Sequence, residues 1–209
     1  MKQPWLQVAL DDYEGHMGAA SVNQLAPLAD LFAEALAFCQ PRSVAIVGIA
    51  GGNGLQHLDP RITKRIVGID INTDYLAAVR HRFPALEQLE LHHLDMAKER
   101  PRLDSVDMVH AALLFEHTGL SPCLENCLSL TGPGGRFVAV LQLPSATQSA
   151  VANTGFPSIQ HLKEHFALID PASFSADLAH NGFSPALEKH RSLPGGKAFW
   201  MGIFQRKNS

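Results

Sequence analysis

Two spacings of apolar residues run through the chain, and each predicts its own kind of element. Leu25, Leu28, Leu31, Phe32, Ala35, Leu36 and Cys39 recur every three or four positions, which predicts a helix ended by Pro41. Pro27 fits only in a first turn, so the helix starts near Leu25 or Ala26. Short β-branched runs follow. Ser43–Val47 reads as a strand buried on both faces, residues 52–59 as helix, and Arg65–Asp70 as a second strand. Asn72-Thr73-Asp74 opens a helix carrying Tyr75, Leu76, Val79 and Phe83, with Pro84 behind it. Further strands are expected over Gln88–His92, Ser105–Ala112 and Arg136–Leu143. Between the last two, a helix starts at Ser121-Pro122 and is ended by Thr131–Gly135. Residues 157–166 and 171–180 read as short helices. Leu187–Ser192 and Lys197–Phe204 flank a turn at Pro194-Gly195-Gly196 and predict a closing hairpin.

Strands alternating with helices across short connections predict an α/β fold, doubly wound on a mostly parallel sheet with right-handed crossovers. Such sheets bind ligands beyond the carboxyl ends of their strands, where strand order reverses. That directs attention to the residues after Val47, Ile69, His92 and Ala112. No linker or repeat divides the 209 residues, so a single domain is expected. Residues 1–42 would form a cover and first helix, 43–143 a ligand-binding half and 144–209 a substrate-side half.

Charge and composition narrow the partners. The net charge of -3 shows no basic stripe, which disfavours a nucleic-acid backbone. The longest apolar runs are too short for a bilayer, and acids occupy the N-terminal stretch where a signal peptide needs an apolar core. Three cysteines, Cys39, Cys123 and Cys127, suit a reducing compartment, and a cytoplasmic location is expected.

The candidate chemistry begins directly after the first strand. In Gly48-Ile49-Ala50-Gly51-Gly52-Asn53-Gly54 the glycines permit a tight turn and close approach of a ligand to the backbone. Asp70 ends the second strand, where a carboxylate can accept from both hydroxyls of a ribose. Asp95 follows the third, placed to accept from an adenine amino group. Either acid alone is equally a solvated loop residue or a cap; the three strand ends together describe a cradle for an adenosine ligand. A dinucleotide-binding G-x-G-x-x-G register does not fit residues 48–54.

From Ser43 to Gln205 these segments resemble the class I S-adenosylmethionine-dependent methyltransferases, through GIAGGNG, IVGIDIN, HHLDM, Ser105-Val106-Asp107 and GPGGRFVAV. The resemblance implies a seven-stranded Rossmann-like sheet of order 3-2-1-4-5-7-6 with the seventh strand antiparallel. It implies S-adenosylmethionine as cofactor, contacted by Gly48, Ile49, Ala50, Gly52, Gly54, Asp70, Ile71, Asp95, Met96 and Ala111, and covered by Tyr13 and His16. Two positions depart from the family. Ile46 stands where many members carry Asp or Glu, so carbonyls near Gly48 and Ala111 would replace that contact, and Ala50 stands where glycine is commoner.

In this family donor and acceptor meet after the fourth strand, which makes Glu116 and His117 the candidate acceptor-binding groups or base. Both residues equally suit a solvated loop. The acceptor is expected to be a small molecule beneath Tyr13–Met17 and Ser145–Phe166. A non-catalytic protein that binds the cofactor as a sensor or assembly partner is the alternative. His161-Leu162-Lys163-Glu164-His165 matches the H-x-x-E-H zinc pattern, but without an evident third ligand it reads as a surface helix and no metal is expected. Pro122-Cys123 resembles the nucleophile pair of cytosine methyltransferases but lies about ten residues too far beyond the fourth strand.

Overall fold

The computed structural model describes residues 3–193 and 196–208, which build one seven-stranded sheet with helices on both faces. In chain order the elements are α1 (Leu10–Gly18), α2 (Leu25–Cys39), β1 (Ser43–Val47), β2 (Arg65–Asp70), α3 (Thr73–Arg82), β3 (Leu89–His93) and β4 (Val106–Ala112). Then come α4 (Phe115–Thr118), α5 (Cys123–Ser129), β5 (Thr131–Gln142), α6 (Pro157–Gln160), α7 (Pro171–His180), β6 (Phe183–Ser192) and β7 (Ala198–Arg206). Strand order is β3-β2-β1-β4-β5-β7-β6. The first five strands pair in parallel, and β7 runs antiparallel to both β5 and β6. This is the order and the antiparallel strand that the resemblance implies.

The alternation of side chains along each strand splits the core in two. In β5, Phe137, Ala139 and Leu141 pack with α5 and α7 through Cys127, Phe174 and Leu178. Val138 and Val140 point the other way, to Leu31, Phe32 and Ala35 of α2 and Val79 of α3. Asn72 caps α3 by accepting from the Asp74 amide at 3.0 Å, and Asp107 holds the amides of Arg42 and Ser43 at 2.9 Å. The latter bonds tie β4 to the amino end of β1, at the opposite edge from the glycine loop.

Several expected elements differ. The helix expected over 52–59 is a single 3₁₀ turn at Leu55–His57, because Gly52 and Gly54 take φ of +82° and +94° and Pro60 follows. The N-terminal leader contains α1, whose Leu10, Tyr13 and Met17 fall on one face. The stretch Thr131–Gly135 does not end α5 as a turn but begins β5, and the pairing with β4 shifts register between Val106 and Met108. Residues 157–166 divide into α6 and a 3₁₀ turn at His161–His165. The expected turn at Pro194-Gly195 lies outside the described residues. Among the described residues no helix is long and apolar enough to cross a membrane.

Candidate functional site

Strand order reverses between β1 and β4, and the glycine loop leaves β1 at that point. The amides of Gly48 and Ile49 donate to the Ile69 carbonyl at 2.8 and 3.1 Å, which folds the loop back over the end of β2. There the Asp70 carboxylate accepts from the Ala50 amide through Oδ2 and the Asn72 amide through Oδ1, both at 2.9 Å. Burial raises the Asp70 pKa, and the amides of Asn72, Ala50 and Ile71 act against that rise. The two carboxylate oxygens offer four lone pairs, so the group keeps capacity for a further donor beside these amides.

Backbone strain concentrates at the same edge. Ala50 takes φ +47° after β1, and Leu113 takes φ +52° after β4. Left-handed backbone costs a side-chain-bearing residue roughly 1–2 kcal/mol, which accounts for glycine being commoner than alanine at the position of Ala50.

The N-terminal segment crosses above this edge and is bonded to it. Gln3 donates to Asp95 Oδ2 at 3.2 Å, Asn72 to the Trp5 carbonyl at 3.1 Å and the Tyr75 hydroxyl to the Val8 carbonyl at 2.9 Å. Residues 150–166 close the roof from the other side. His16 Nδ1 meets Thr154 Oγ1 at 2.6 Å, and the Ser158 hydroxyl donates to Asp12 at 2.5 Å. Val8, Val151, Ile159 and Leu162 form a third small apolar cluster, joined by Trp5, Tyr13, Phe156 and Phe166.

Floor and roof enclose a cavity of about 220 Å³. Of the residues singled out in the sequence, Gly48, Ala50, Asp70, Ile71, Asp95, Met96, Tyr13, His16 and His117 line it. Ile49, Gly52, Gly54, Ala111 and Glu116 do not. Ile49 packs in the core, and Gly54 faces Phe32 of α2, where a Cβ would come within 2.9 Å of the ring. Ala111 is fully buried, and Ala112 reaches the cavity in its place. Ile46, at the position of the family's missing acid, is buried in the core with α2.

Glu116 and His117 are adjacent in α4, and the helical turn sends them different ways. Glu116 is 1% exposed, and its Oε1 accepts from the Gln142 amide at 2.8 Å. Burial lifts its pKa to about 7. His117 lies edge-on to Trp5 at 4.8 Å and Phe166 at 5.0 Å between ring centroids. Its Nδ1 is buried without a hydrogen-bond partner among the described residues, and desolvation lowers its pKa to about 4. The ring is therefore neutral near pH 7.

The structure adds wall residues that carry no local motif, Trp5, Gln24, Leu113, Gln142 and Lys197, and brings Phe166 of the expected roof segment to the same wall. Each is a lone residue in sequence, and only the antiparallel return of β7 and the crossing of the N-terminus bring them together. The wall fits an adenosine-bearing group at its β1–β3 end. Asp70 offers lone pairs there, and Gly48, at φ +73°, brings bare backbone to the surface. Asp95 already accepts from Lys98 at 2.7 Å, Gln3 at 3.2 Å and the Ala97 amide at 3.1 Å.

Residues 46–137 match a family model described as a methyltransferase domain. No curated protein matches the chain in sequence at a significant level. Solved structures share the fold at low identity. The N-methyltransferase NodS from Bradyrhizobium japonicum, in complex with S-adenosyl-L-homocysteine, superimposes with a TM-score of 0.69 at 13% identity over 98% of this chain and 97% of that one. Magnesium protoporphyrin IX methyltransferase from Synechocystis with bound S-adenosylmethionine gives 0.70 at 14% identity, covering 98% and 95%. The [4+2]-cyclase SpnF gives 0.67 at 12% identity, covering 92% and 85%.

Proposed function

We propose that this chain, a class I S-adenosylmethionine-dependent methyltransferase, places its methyl group on a small-molecule acceptor held with the cofactor in one roofed cavity. The observation that carries the reading is the continuity of the cavity. One wall runs from Gly48, Asp70 and Asp95 past Leu113 and His117 to Gln142 and Lys197, beneath a roof of α1 and residues 150–166. A roofed, partly open cavity suits a small molecule better than a folded polymer.

When bound, S-adenosylmethionine supplies an electrophilic methyl group ready for in-line displacement. The chain's own residues do the rest. Asp70 would take the ribose hydroxyls, and the glycine loop, Ile71 and Met96 would line the adenosine. Tyr13, Trp5 and Phe166 exclude water from above, where aromatic faces also favour a cation. Neutral His117 would accept a hydrogen bond from the acceptor. Glu116 is a positioning residue that holds α4 against the end of β5. We also place the protein in the cytoplasm, a setting that suits its three free thiols.

The test is incubation with methyl-labelled S-adenosylmethionine and, separately, a metabolite library, total protein and nucleic acid. Label is expected on a small molecule, with S-adenosylhomocysteine formed in equal amount. Label on protein or nucleic acid alone would overturn the acceptor class. Tight cofactor binding with no turnover on any of the three would favour the sensor reading.

A further inference from the structure

We propose that the methyl acceptor carries a carboxylate and that Lys197 is the residue that binds it. The inference rests on the small-molecule reading above and narrows it. Lys197 precedes β7 and lies in the cavity wall, yet is only 3% exposed. Its ammonium donates to the Ala150 carbonyl at 2.8 Å. Among the described residues it has no ion-pair partner, while the other lysines and arginines that make ion pairs do so at the surface or part-buried. A buried ammonium facing one neutral carbonyl is costly unless a counter-ion arrives.

The surroundings are set for such an arrival. Its neighbour His16 is neutral near pH 7, because desolvation and then the Lys197 charge lower its pKa to about 4. Gln24 donates to Gln142 at 3.2 Å, and Gln142 donates to the Ala150 carbonyl at 2.9 Å. These are neutral polar groups, and burial alone lowers the Lys197 pKa, with no nearby charge contributing. One fixed positive charge matches one negative charge. That favours a monocarboxylate over a phosphate dianion, which would bring a second, unneutralised charge into the cavity. Beside Lys197 the wall turns apolar through Val151, Ile159 and Leu162, which suits a hydrocarbon body attached to the carboxylate.

The cofactor's own carboxylate is the other conceivable partner, and sheet geometry disfavours it. Asp70 ends β2, and β1, β4 and β5 separate that strand from β7. At about 4.8 Å per strand, β7 runs about 19 Å across the sheet from β2, so the two side chains enter the cavity from opposite ends.

The experiment is calorimetry on the S-adenosylhomocysteine-loaded protein with benzoate, phenylacetate and hexanoate, each compared with its uncharged carboxamide. At least one carboxylate is expected to bind tenfold or more tightly than its amide. That preference should fall below twofold in Lys197→Met and Lys197→Gln, with S-adenosylhomocysteine affinity kept within threefold. Three results would overturn the proposal: no carboxylate preference in the wild type, a preference that survives both substitutions, or a tenfold loss of S-adenosylhomocysteine affinity in them. Should neither variant fold, the wild-type pairs decide alone. Failure of the wild type to bind S-adenosylhomocysteine would count against the methyltransferase reading instead, and the carboxylate comparison would still be read on the free protein.

Discussion

Glu116 and Gln142 meet at the carboxyl edge of the sheet, where the Glu116 Oε1 accepts the Gln142 backbone amide at 2.8 Å. The Glu116 carbonyl in turn accepts the Ala167 amide at 2.8 Å, so one residue joins α4, β5 and the end of the roof. Its second carboxyl oxygen is buried without a partner among the described residues. A proton on the carboxyl is the natural complement to that environment.

This arrangement predicts a carboxyl contribution that opposes the histidines in the pH dependence of stability. Burial raises Glu116 from 4.5 to about 7, so the native state holds a proton that the unfolded chain releases. Its contribution is full below pH 4.5 and is lost as pH rises through 7, about 3 kcal/mol in all. His16, His110 and His117 act in the opposite sense. Desolvation lowers each from 6.5 to about 4, so their contribution is full above pH 6.5 and lost as pH falls through 4. Urea titrations should show stability rising from pH 4 and levelling off above pH 7, less steeply than the three histidines alone would give. Glu116→Gln is expected to steepen the rise between pH 5 and 7 by about 1.4 kcal/mol per pH unit, and an unchanged slope in that variant would refute the assignment.

His117 is predicted to act on the acceptor and not on the cofactor. With the acceptor found by the labelling screen, His117→Ala should lower kcat/KM at least tenfold while S-adenosylhomocysteine affinity stays within threefold. Glu116→Gln should have the smaller effect, since its side chain does not reach the cavity. Unchanged kcat/KM in His117→Ala would remove the residue from the chemistry.

The roof depends on a close approach of α1 to Phe156. A Cβ built on Gly15 would lie 2.5 Å from Cζ of that ring, so a larger residue must displace it. Gly15→Val is expected to raise amide hydrogen exchange in Leu10–Gly18 at least tenfold and to destabilise the protein by about 1–3 kcal/mol. Amides of β4 and β5 should keep their protection relative to global unfolding. Unaltered exchange in α1 would show that the helix is not held by this contact.

Much of the fold was legible in the sequence because strands buried on both faces are nearly continuous apolar runs. Ser43–Val47 and Arg65–Asp70 match the expected boundaries, and α2 ends where Pro41 requires. Elements failed to show where glycine and charge masked the period. Asp11, Asp12 and Glu14 hide the apolar face of α1, and two positive-φ glycines reduce an expected helix to the 3₁₀ turn Leu55–His57. The β1–β3 end of the cavity was readable as motifs, because Gly48, Asp70 and Asp95 lie at strand ends or within two positions beyond them. The β5–β7 end was not. Lys197, Gln142, Gln24 and Trp5 come from four separate parts of the chain, and no local spacing links them. Glu116 illustrates the remaining limit: the sequence put it beside the acceptor, and the turn of α4 directs it inward.

Asp70, at the end of β2, has the bond capacity on which cofactor binding at this edge depends most directly. Isothermal titration of S-adenosylhomocysteine into the wild type and Asp70→Ala tests it. The wild type is expected to bind with one-to-one stoichiometry. The variant should lose tenfold or more in affinity, about 1.5–3 kcal/mol for each charge-assisted hydrogen bond removed. Far-ultraviolet circular dichroism would check that it is folded. Equal affinity in the two proteins would contradict the placement of the cofactor on this edge.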